Sequence, residues 1–408
     1  MKNRNIIGPF STTSIPALML TFIFVIRATT TPGAQSVSAS SGVADFSPTP
    51  TESSLPVSNQ AAVDYLIAHF QLPEDYIASK FKDHQLVFLG EGVHGSKQNL
   101  LFLQKLIPRL YEAGVYNIGF EMICSDEQPE VDRLLAAKQY DNTKALTLLF
   151  HWDPAIGFAA QEYADVLRAE WTLNQNLPKG NPQFRIVGTD LRPDWGLVKP
   201  GDDFRTRNAR WKAWAGSNQI ARNVWMMGMM RHEFIEKGLK ALIYTGLGHA
   251  TLYVGRDQRE ETGLRFSVAY LLHRSFGDRV TSLLILSSAS QNPVIGEVMA
   301  GIPSKYQVIG FDVKGTPVGD LPLPDRMAAS ILTDKKPLTL ADYTDGAVYI
   351  SSTFDVVTIP PGFITPTRVD EAKRDGWLPD IPEITADSIM KQSAEMLKTT
   401  APQSPRPN

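Results

Sequence analysis

Residues 86–95 read Leu-Val-Phe-Leu-Gly-Glu-Gly-Val-His-Gly and run directly into Ser96 and the helical pattern Lys-Gln-Asn-Leu-Leu-Phe-Leu-Gln-Lys-Leu-Ile. Val87, Phe88 and Leu89 favour a buried strand, since such side chains fit a pleated surface packed on both faces. Gly90, Gly92 and Gly95 permit the sharp turn and close backbone approach that a strand end needs. Ser96 is the expected N-cap of the helix that follows. A strand that passes through so short a loop into a helix commits the chain to an α/β fold. In open α/β sheets ligands bind at the carboxyl ends of the strands, where Glu91 and His94 stand.

The same grammar recurs. Apolar strand-like runs at 85–89, 117–122, 184–189, 241–245, 280–286 and 347–351 alternate with helical patterns at 97–112, 158–174, 222–237 and 263–274, with a further helix expected over 60–70. This predicts a mainly parallel sheet flanked by helices. Pro108 should kink or divide the first long helix. Residues 191–217, with three tryptophans and many charges, read as an irregular insertion over the sheet, and the Pro-rich residues 379–408 as a short helix and a tail. No internal repeat is visible.

The chain has 408 residues, 40 Lys+Arg against 43 Asp+Glu, and no basic run, so the electrostatic footprint of a nucleic-acid binder is missing. Lys2 and Arg4 precede an apolar stretch from Ile15 to Ile26, followed by small and polar residues. That is the pattern of an export signal, with cleavage expected near Ala34 and a periplasmic or extracellular destination; an uncleaved anchor is the alternative. The expected organisation is a signal over 1–34, a flexible Ser/Thr/Pro/Ala linker over 35–58, one α/β domain over 59–378 and the tail. Cys124, the sole cysteine, reads as a small buried hydrophobe.

Three more ionisable groups close apolar runs: Glu121 after Ile-Gly-Phe, Asp190 after Ile-Val-Gly-Thr, and His249 after Ile-Tyr-Thr-Gly-Leu-Gly. Parallel strands present their carboxyl ends on one side, so Glu91, His94, Glu121, His249 and Asp190 are expected to converge. Arg222 heads a helical pattern whose Met226, Met227, Met229 and Met230 read as core; its planar guanidinium suits a carboxylate or a developing oxyanion. His151, in Phe-His-Trp-Asp-Pro, is a further candidate for the cleft, while His69, His84 and His273 read as surface or packing residues. Gly90-Glu-Gly-Val-His-Gly95 formally matches the dinucleotide fingerprint, yet an acidic Glu91 would repel a pyrophosphate. No Gly-x-Ser-x-Gly elbow and no His-Glu-x-x-His helix occurs. Imidazole and carboxylate together also suit zinc, manganese or iron.

The ordered series Gly-Glu-x-x-His-Gly at 90–95, Phe-Glu at 120–121, Gly-x-Asp at 188–190, Arg222 with Met226, and the late His249 resembles the erythromycin esterase-like family. It is similar, more widely, to the superfamily that joins those esterases to ChaN-type haem-binding lipoproteins and Tiki-type metalloproteases. The likeness spans roughly residues 60–355. It implies ester or lactone hydrolysis by a histidine-activated water without an obligatory metal, with the first motif's roles carried by Glu91 and His94, the second-strand glutamate by Glu121 and the late histidine by His249. The late motif Gly-Leu-Gly-His249 is nearer the glycine-rich form of the ChaN and Tiki branches, and Trp152-Asp-Pro with Glu162-Tyr163 is similar to ChaN-like proteins.

The expected function is therefore an exported hydrolase with a small-molecule substrate, no required cofactor, and no stable membrane span once the signal is cleaved. His94 would be the general base, Glu121 or Glu91 would orient it, and His249 or Arg222 would serve the oxyanion or the leaving group. The alternative is a protein that holds a divalent transition metal or haem, for which Tyr163, Tyr244 and Tyr253 are available.

Overall fold

The computed structural model describes residues 57–152, 158–192, 195, 198–201, 219–256, 264–286, 293–323, 331–333, 337–351 and 353–400. The chain divides into two compact units, Met1–Ser53 and Ser54–Asn408; the first lies outside the described residues, and with it the expected signal and most of the linker. Most of the Trp-rich insertion and residues 401–408 lie outside them too.

The second unit is built on a seven-stranded sheet in the order β3-β2-β4-β1-β7-β9-β8. The strands are β1 (Leu86–Glu91), β2 (Asn117–Cys124), β3 (Arg185–Asp190), β4 (Ala241–Gly246), β7 (Val280–Leu286), β8 (Ile309–Asp312) and β9 (Gly346–Tyr349); β5 (Val254–Arg256) and β6 (Leu264–Phe266) form a separate antiparallel pair. Every pairing in the large sheet is parallel except that of β8 on β9. The fold is α/β, as the alternation of runs predicts.

Side-chain alternation sorts the core onto two faces. Val87 and Leu89, Ile118 and Phe120, and Leu242 and Tyr244 join one large apolar cluster with the helices Lys97–Glu112 (α3), Asn142–Trp152 (α5) and Gln161–Asn176 (α6). Leu86 and Phe88, with Ala241 and Ile243, point the other way, into a cluster with Met226, Met230 and Phe234. Farther along that face Leu284 and Leu286 pack with Ile309, Phe311 and the helix Pro293–Ala300. The strands are buried on both faces, which is why their sequences are continuous apolar runs rather than alternating ones.

Several local expectations change. Pro108 stands inside α3, which continues through it undivided. Ser96 occupies the N-cap position of α3, but its buried hydroxyl makes no capping bond; the Lys97 amide is bonded instead to the Asp355 carbonyl at 2.8 Å. The helix carrying Arg222 starts at Gln219 and ends at Met230, with a widened π turn over Arg231–Ile235. The helix expected over 263–274 begins only at Val268, behind Ser267, whose Oγ caps the Tyr270 amide; residues 264–266 are the strand β6. Edge strand β8 and the helices Pro73–Lys80, Gln128–Ala136 and Asn142–Trp152 are additions to the sequence reading.

Candidate functional site

Adjacent strands β3, β2, β4 and β1 carry toward their carboxyl ends, or lead into, Asp190, Glu121, His249 and the pair Glu91–His94, so the five groups share one sheet edge. They form two half-sites that meet above Gly246, the last residue of the strand between β1 and β2.

The first half-site belongs to β1. Glu91 lies on the face of Val87 and Leu89 and is 1% exposed. Its Oε1 accepts from His94 Nδ1 at 2.7 Å; its Oε2 accepts from the Tyr244 hydroxyl at 2.5 Å and from Asn99 Nδ2 at 3.2 Å. A carboxylate can only accept, so His94 carries its proton on Nδ1 and presents Nε2 as the basic nitrogen. Gly95, with a φ of 81°, turns the chain at the end of the loop, and its amide donates to the Tyr163 hydroxyl at 3.0 Å. The His94 side chain is 33% exposed, with the edges of Phe158 and Trp152 against it at ring separations of 5.4 and 6.2 Å. Burial works to lower the His94 pKa, but the hydrogen bond and charge of Glu91, with the charge of Glu121, prevail and hold it above its ordinary value.

The second half-site is centred on Glu121, on the opposite face. The pairing of β2 with β3 is irregular between Phe120 and Cys124, the kind of bulge that re-aims a side chain. Glu121 Oε2 accepts from Thr245 Oγ1 at 2.5 Å and the Gly246 amide at 2.6 Å; Oε1 accepts from Arg222 at 2.8 Å and faces His249 Nε2 at 3.2 Å. Burial alone would raise the Glu121 pKa, yet His249, Arg222 and His94 hold it well below the usual carboxylate range. Glu121 is therefore a fixed anion. Arg222 also grips Asp190 through Nε, at 2.7 Å, and through a second nitrogen, and Trp152 Nε1 donates to the same Asp190 at 2.6 Å.

His249 is 4% exposed. Asn223 Nδ2 donates to the Phe266 carbonyl at 2.5 Å, which aims Asn223 Oδ1 at His249 Nδ1, 2.7 Å away. The Nδ1 therefore carries a proton. Burial pushes the His249 pKa down, and Arg222 and Arg265 act in the same direction against Glu121. Both of its ring nitrogens face oxygens of the protein, Asn223 Oδ1 and Glu121 Oε1, whereas for His94 the partner is Glu91 at Nδ1.

The structure thus brings together all six residues singled out at this edge: Glu91, His94, Glu121, Asp190, Arg222 and His249. Glu91, not Glu121, is the carboxylate bonded to His94. Arg222 is already engaged by two of the protein's own carboxylates. His151 makes a separate pair, Nδ1 to Glu127 Oε1 at 2.6 Å, with its ring stacked on Trp377 at 4.4 Å. Cys124 is fully buried, and burial raises its thiol pKa well above the ordinary value. Tyr163 and Tyr244 are fully buried donors and acceptors beneath Glu91. Among the described residues no group of three or more His, Cys, Asp or Glu is arranged to hold a metal ion.

Asn99, Asn223 and Thr245 were not foreseen. Two of them had a signal: Asn99 falls in register with Leu103, Leu106 and Leu110 of α3, and Asn223 with Met226, Met227 and Met230, each a lone amide on an apolar helical stripe. A buried amide must find partners, so such a residue marks a polar site behind the stripe.

No family model matches the sequence, and no curated protein matches it. Among solved structures, a Bacillus cereus protein superposes with a TM-score of 0.50 at 14% identity, over 75% of this chain and 100% of that one. A succinoglycan biosynthesis protein gives a TM-score of 0.50 at 10% identity, over 75% and 100%. A mutant erythromycin esterase in its open conformation gives 0.44 at 12% identity, over 69% and 94%. At these identities the likeness to the first two concerns the fold alone.

Proposed function

We propose that the protein is an exported hydrolase that cleaves an ester or lactone with a water activated by His94. The observation that carries this reading is the His94–Glu91 pair. Glu91 fixes the Nδ1–H tautomer, and Nε2 of this one-third-exposed side chain is left to act as a base. In the reaction, Nε2 takes a proton from water as the hydroxide oxygen bonds to the carbonyl carbon. The imidazolium then returns that proton to the departing alkoxide oxygen as the carbon–oxygen bond breaks. Glu91 and the permanently ionised Glu121 both favour the imidazolium formed in between. His249, held by Asn223 through Nδ1, is packed with its Nε2 against Glu121. Arg222 screens Glu121 and Asp190 from one another and offers its remaining N–H groups to an oxyanion.

The test is turnover of activated esters and lactones by the purified chain, with and without prior dialysis against a chelator, compared with His94→Ala. Loss of about a hundred- to ten-thousandfold in the variant is expected, because that is what a general base contributes. Chelator-resistant turnover is expected of the wild type. One bound metal or haem per chain, with activity that depends on it, would replace this reading with a metal- or haem-binding role for the same residues. For export, a mature amino terminus between Ala28 and Ser40 is expected of protein recovered outside the cytosol.

A further inference from the structure

We infer that Tyr244 is a positioning residue for His94, acting through Glu91. This rests on the hydrolase reading for its kinetic consequence only; the geometry it concerns can be observed without any substrate.

The Glu91 side chain has no contact with solvent, and each of its oxygens must be satisfied from within the protein. Oε2 receives two donors: the Tyr244 hydroxyl at 2.5 Å and Asn99 Nδ2 at 3.2 Å. Those bonds leave Oε1 to His94 Nδ1. The tyrosine bond is the shorter of the two, and Tyr244 is the better anchored donor. It sits in the middle of the sheet, paired in register with Leu89 of β1 and Phe120 of β2, and its ring stacks on Phe120 at 5.8 Å and 20°. Asn99 belongs to the first turn of α3, whose N-cap side chain makes no bond, so its hold on Oε2 is less constrained.

Without the Tyr244 hydroxyl, Glu91 keeps the long Asn99 bond and the neighbouring Tyr163 hydroxyl, which also holds the Gly95 amide, and the carboxylate is free to rotate toward that donor. Glu91 would then cease to define which nitrogen of His94 bears the proton. A population with the proton on Nε2 has no base facing the substrate. Tyr244 touches neither substrate nor His94, so its effect appears in the state of the His94 ring and in kcat rather than in KM.

The experiment uses the full-length protein labelled with 15N-histidine, as wild type and as Tyr244→Phe, which keeps the ring and the stacking on Phe120. In the wild type the His94 Nδ1 proton is expected as a strongly downfield, slowly exchanging signal, assigned by its absence in His94→Gln, with the Nε2 nitrogen at the unprotonated position. In Tyr244→Phe that proton signal is expected to broaden or vanish, with the two ring nitrogens shifting toward a tautomer mixture. On an ester that the wild type turns over, kcat is expected to fall about ten- to a hundredfold, the loss that corresponds to one hydrogen bond to a charged group, while KM changes less than about twofold. An unchanged His94 spectrum in a folded Tyr244→Phe would overturn the inference while leaving the hydrolase reading intact. A shifted spectrum in a protein that hydrolyses no ester would do the reverse. Should Tyr244→Phe fail to fold, Asn99→Ala carries the complementary readout: with Tyr244 in place the His94 proton signal should persist, and its loss would assign the positioning to Asn99 instead.

Discussion

Tyr244 and Thr245, neighbours on β4, hold the two buried glutamates from opposite faces of the sheet, each through a hydroxyl at 2.5 Å: Tyr244 on Glu91 and Thr245 on Glu121. The period-two alternation of a strand makes this possible, since consecutive side chains must point to opposite sides. β4 lies between β1 and β2, so one dipeptide sets the spacing of both carboxylates, and the Gly246 amide adds a third bond at 2.6 Å to Glu121. The two carboxyl groups can share this edge because each has its own partners on its own face, Glu91 the hydrogen bonds of His94, Tyr244 and Asn99, and Glu121 the Arg222 cation with the Thr245 hydroxyl and the Gly246 amide.

Glu121→Gln should separate stability from catalysis. The carboxylate accepts from Thr245, Gly246 and Arg222 and faces His249, and an amide nitrogen placed at either oxygen position meets another donor. Removing one member of a buried charge cluster costs about 3–5 kcal/mol, which denaturant unfolding would read directly. The activity loss should be smaller than that of His94→Ala, because Glu91 still orients the base. Unchanged stability would mean that Glu121 is not ionised in the folded protein.

The pH dependence follows from the raised pKa of His94. Activity requires neutral Nε2, so kcat/KM should fall as pH drops through a value above 6.5, the ordinary one for histidine. The stability contribution has the opposite trend. A group whose folded pKa is raised stabilises the protein fully below its unfolded pKa and loses that contribution as pH rises through the folded value. The difference in Tm between wild type and His94→Gln should therefore be larger at about pH 5.5 than at about pH 8.5, while activity is larger at the higher pH. A gap that widens toward alkaline pH would show that Glu91 does not hold the imidazolium.

Gly90→Ala tests why the first motif contains its glycine. A Cβ there would lie 2.7 Å from Ala250 Cβ and 3.4 Å from the Leu247 Cα, in the single turn Leu247–Ala250 that carries His249. The glycine thus lets β1 approach that turn, and no bound phosphate is needed to explain it. Overpacking of this kind costs about 1–3 kcal/mol. The substitution should lower the unfolding midpoint and, by displacing His249 from Glu121, reduce turnover as well; a variant with wild-type stability would mean that the turn at 247–250 yields freely.

Much of the site was legible because its residues end apolar runs. Glu91 and Asp190 each close a stretch of buried strand, and Glu121 interrupts one three residues before its end, where a charged group has no reason to stand unless partners await it; parallel strands bring such ends to one side. Strand order was not legible. Nothing local in 241–246 says that β4 inserts between β1 and β2, and without that insertion the sharing of labour between Tyr244 and Thr245 cannot be read. For the same reason the orienting role was left open between Glu91 and Glu121: both are glutamates at strand ends, and only the faces they occupy distinguish them. β8 escaped because its four residues run antiparallel at an edge, too short to carry a periodic signal. Helix α5 was missed because the apolar faces of Asn142–Trp152 nearly encircle it, leaving a weak amphipathic stripe.

Gly246→Ala isolates the position of the base from the stability of the fold. Gly246 ends β4 directly beneath the junction of the two half-sites. A Cβ added there would lie 2.8 Å from both Cε1 and Nε2 of His94, and 3.5 Å from Glu121 Oε2. The groups in the way are the tip of a side chain that is one-third exposed, so the ring can swing outward at small cost to the fold. Swinging outward moves Nε2 off its line and strains the bond from Nδ1 to Glu91. Displacements of about 1 Å at a reacting atom cost on the order of a hundredfold in rate. Gly246→Ala should accordingly unfold within a few degrees of wild type while losing most ester turnover, with 15N-histidine spectra showing a perturbed His94 ring and an unperturbed His249. Full activity in this variant would place the attacking water away from Nε2 and remove His94 as the base.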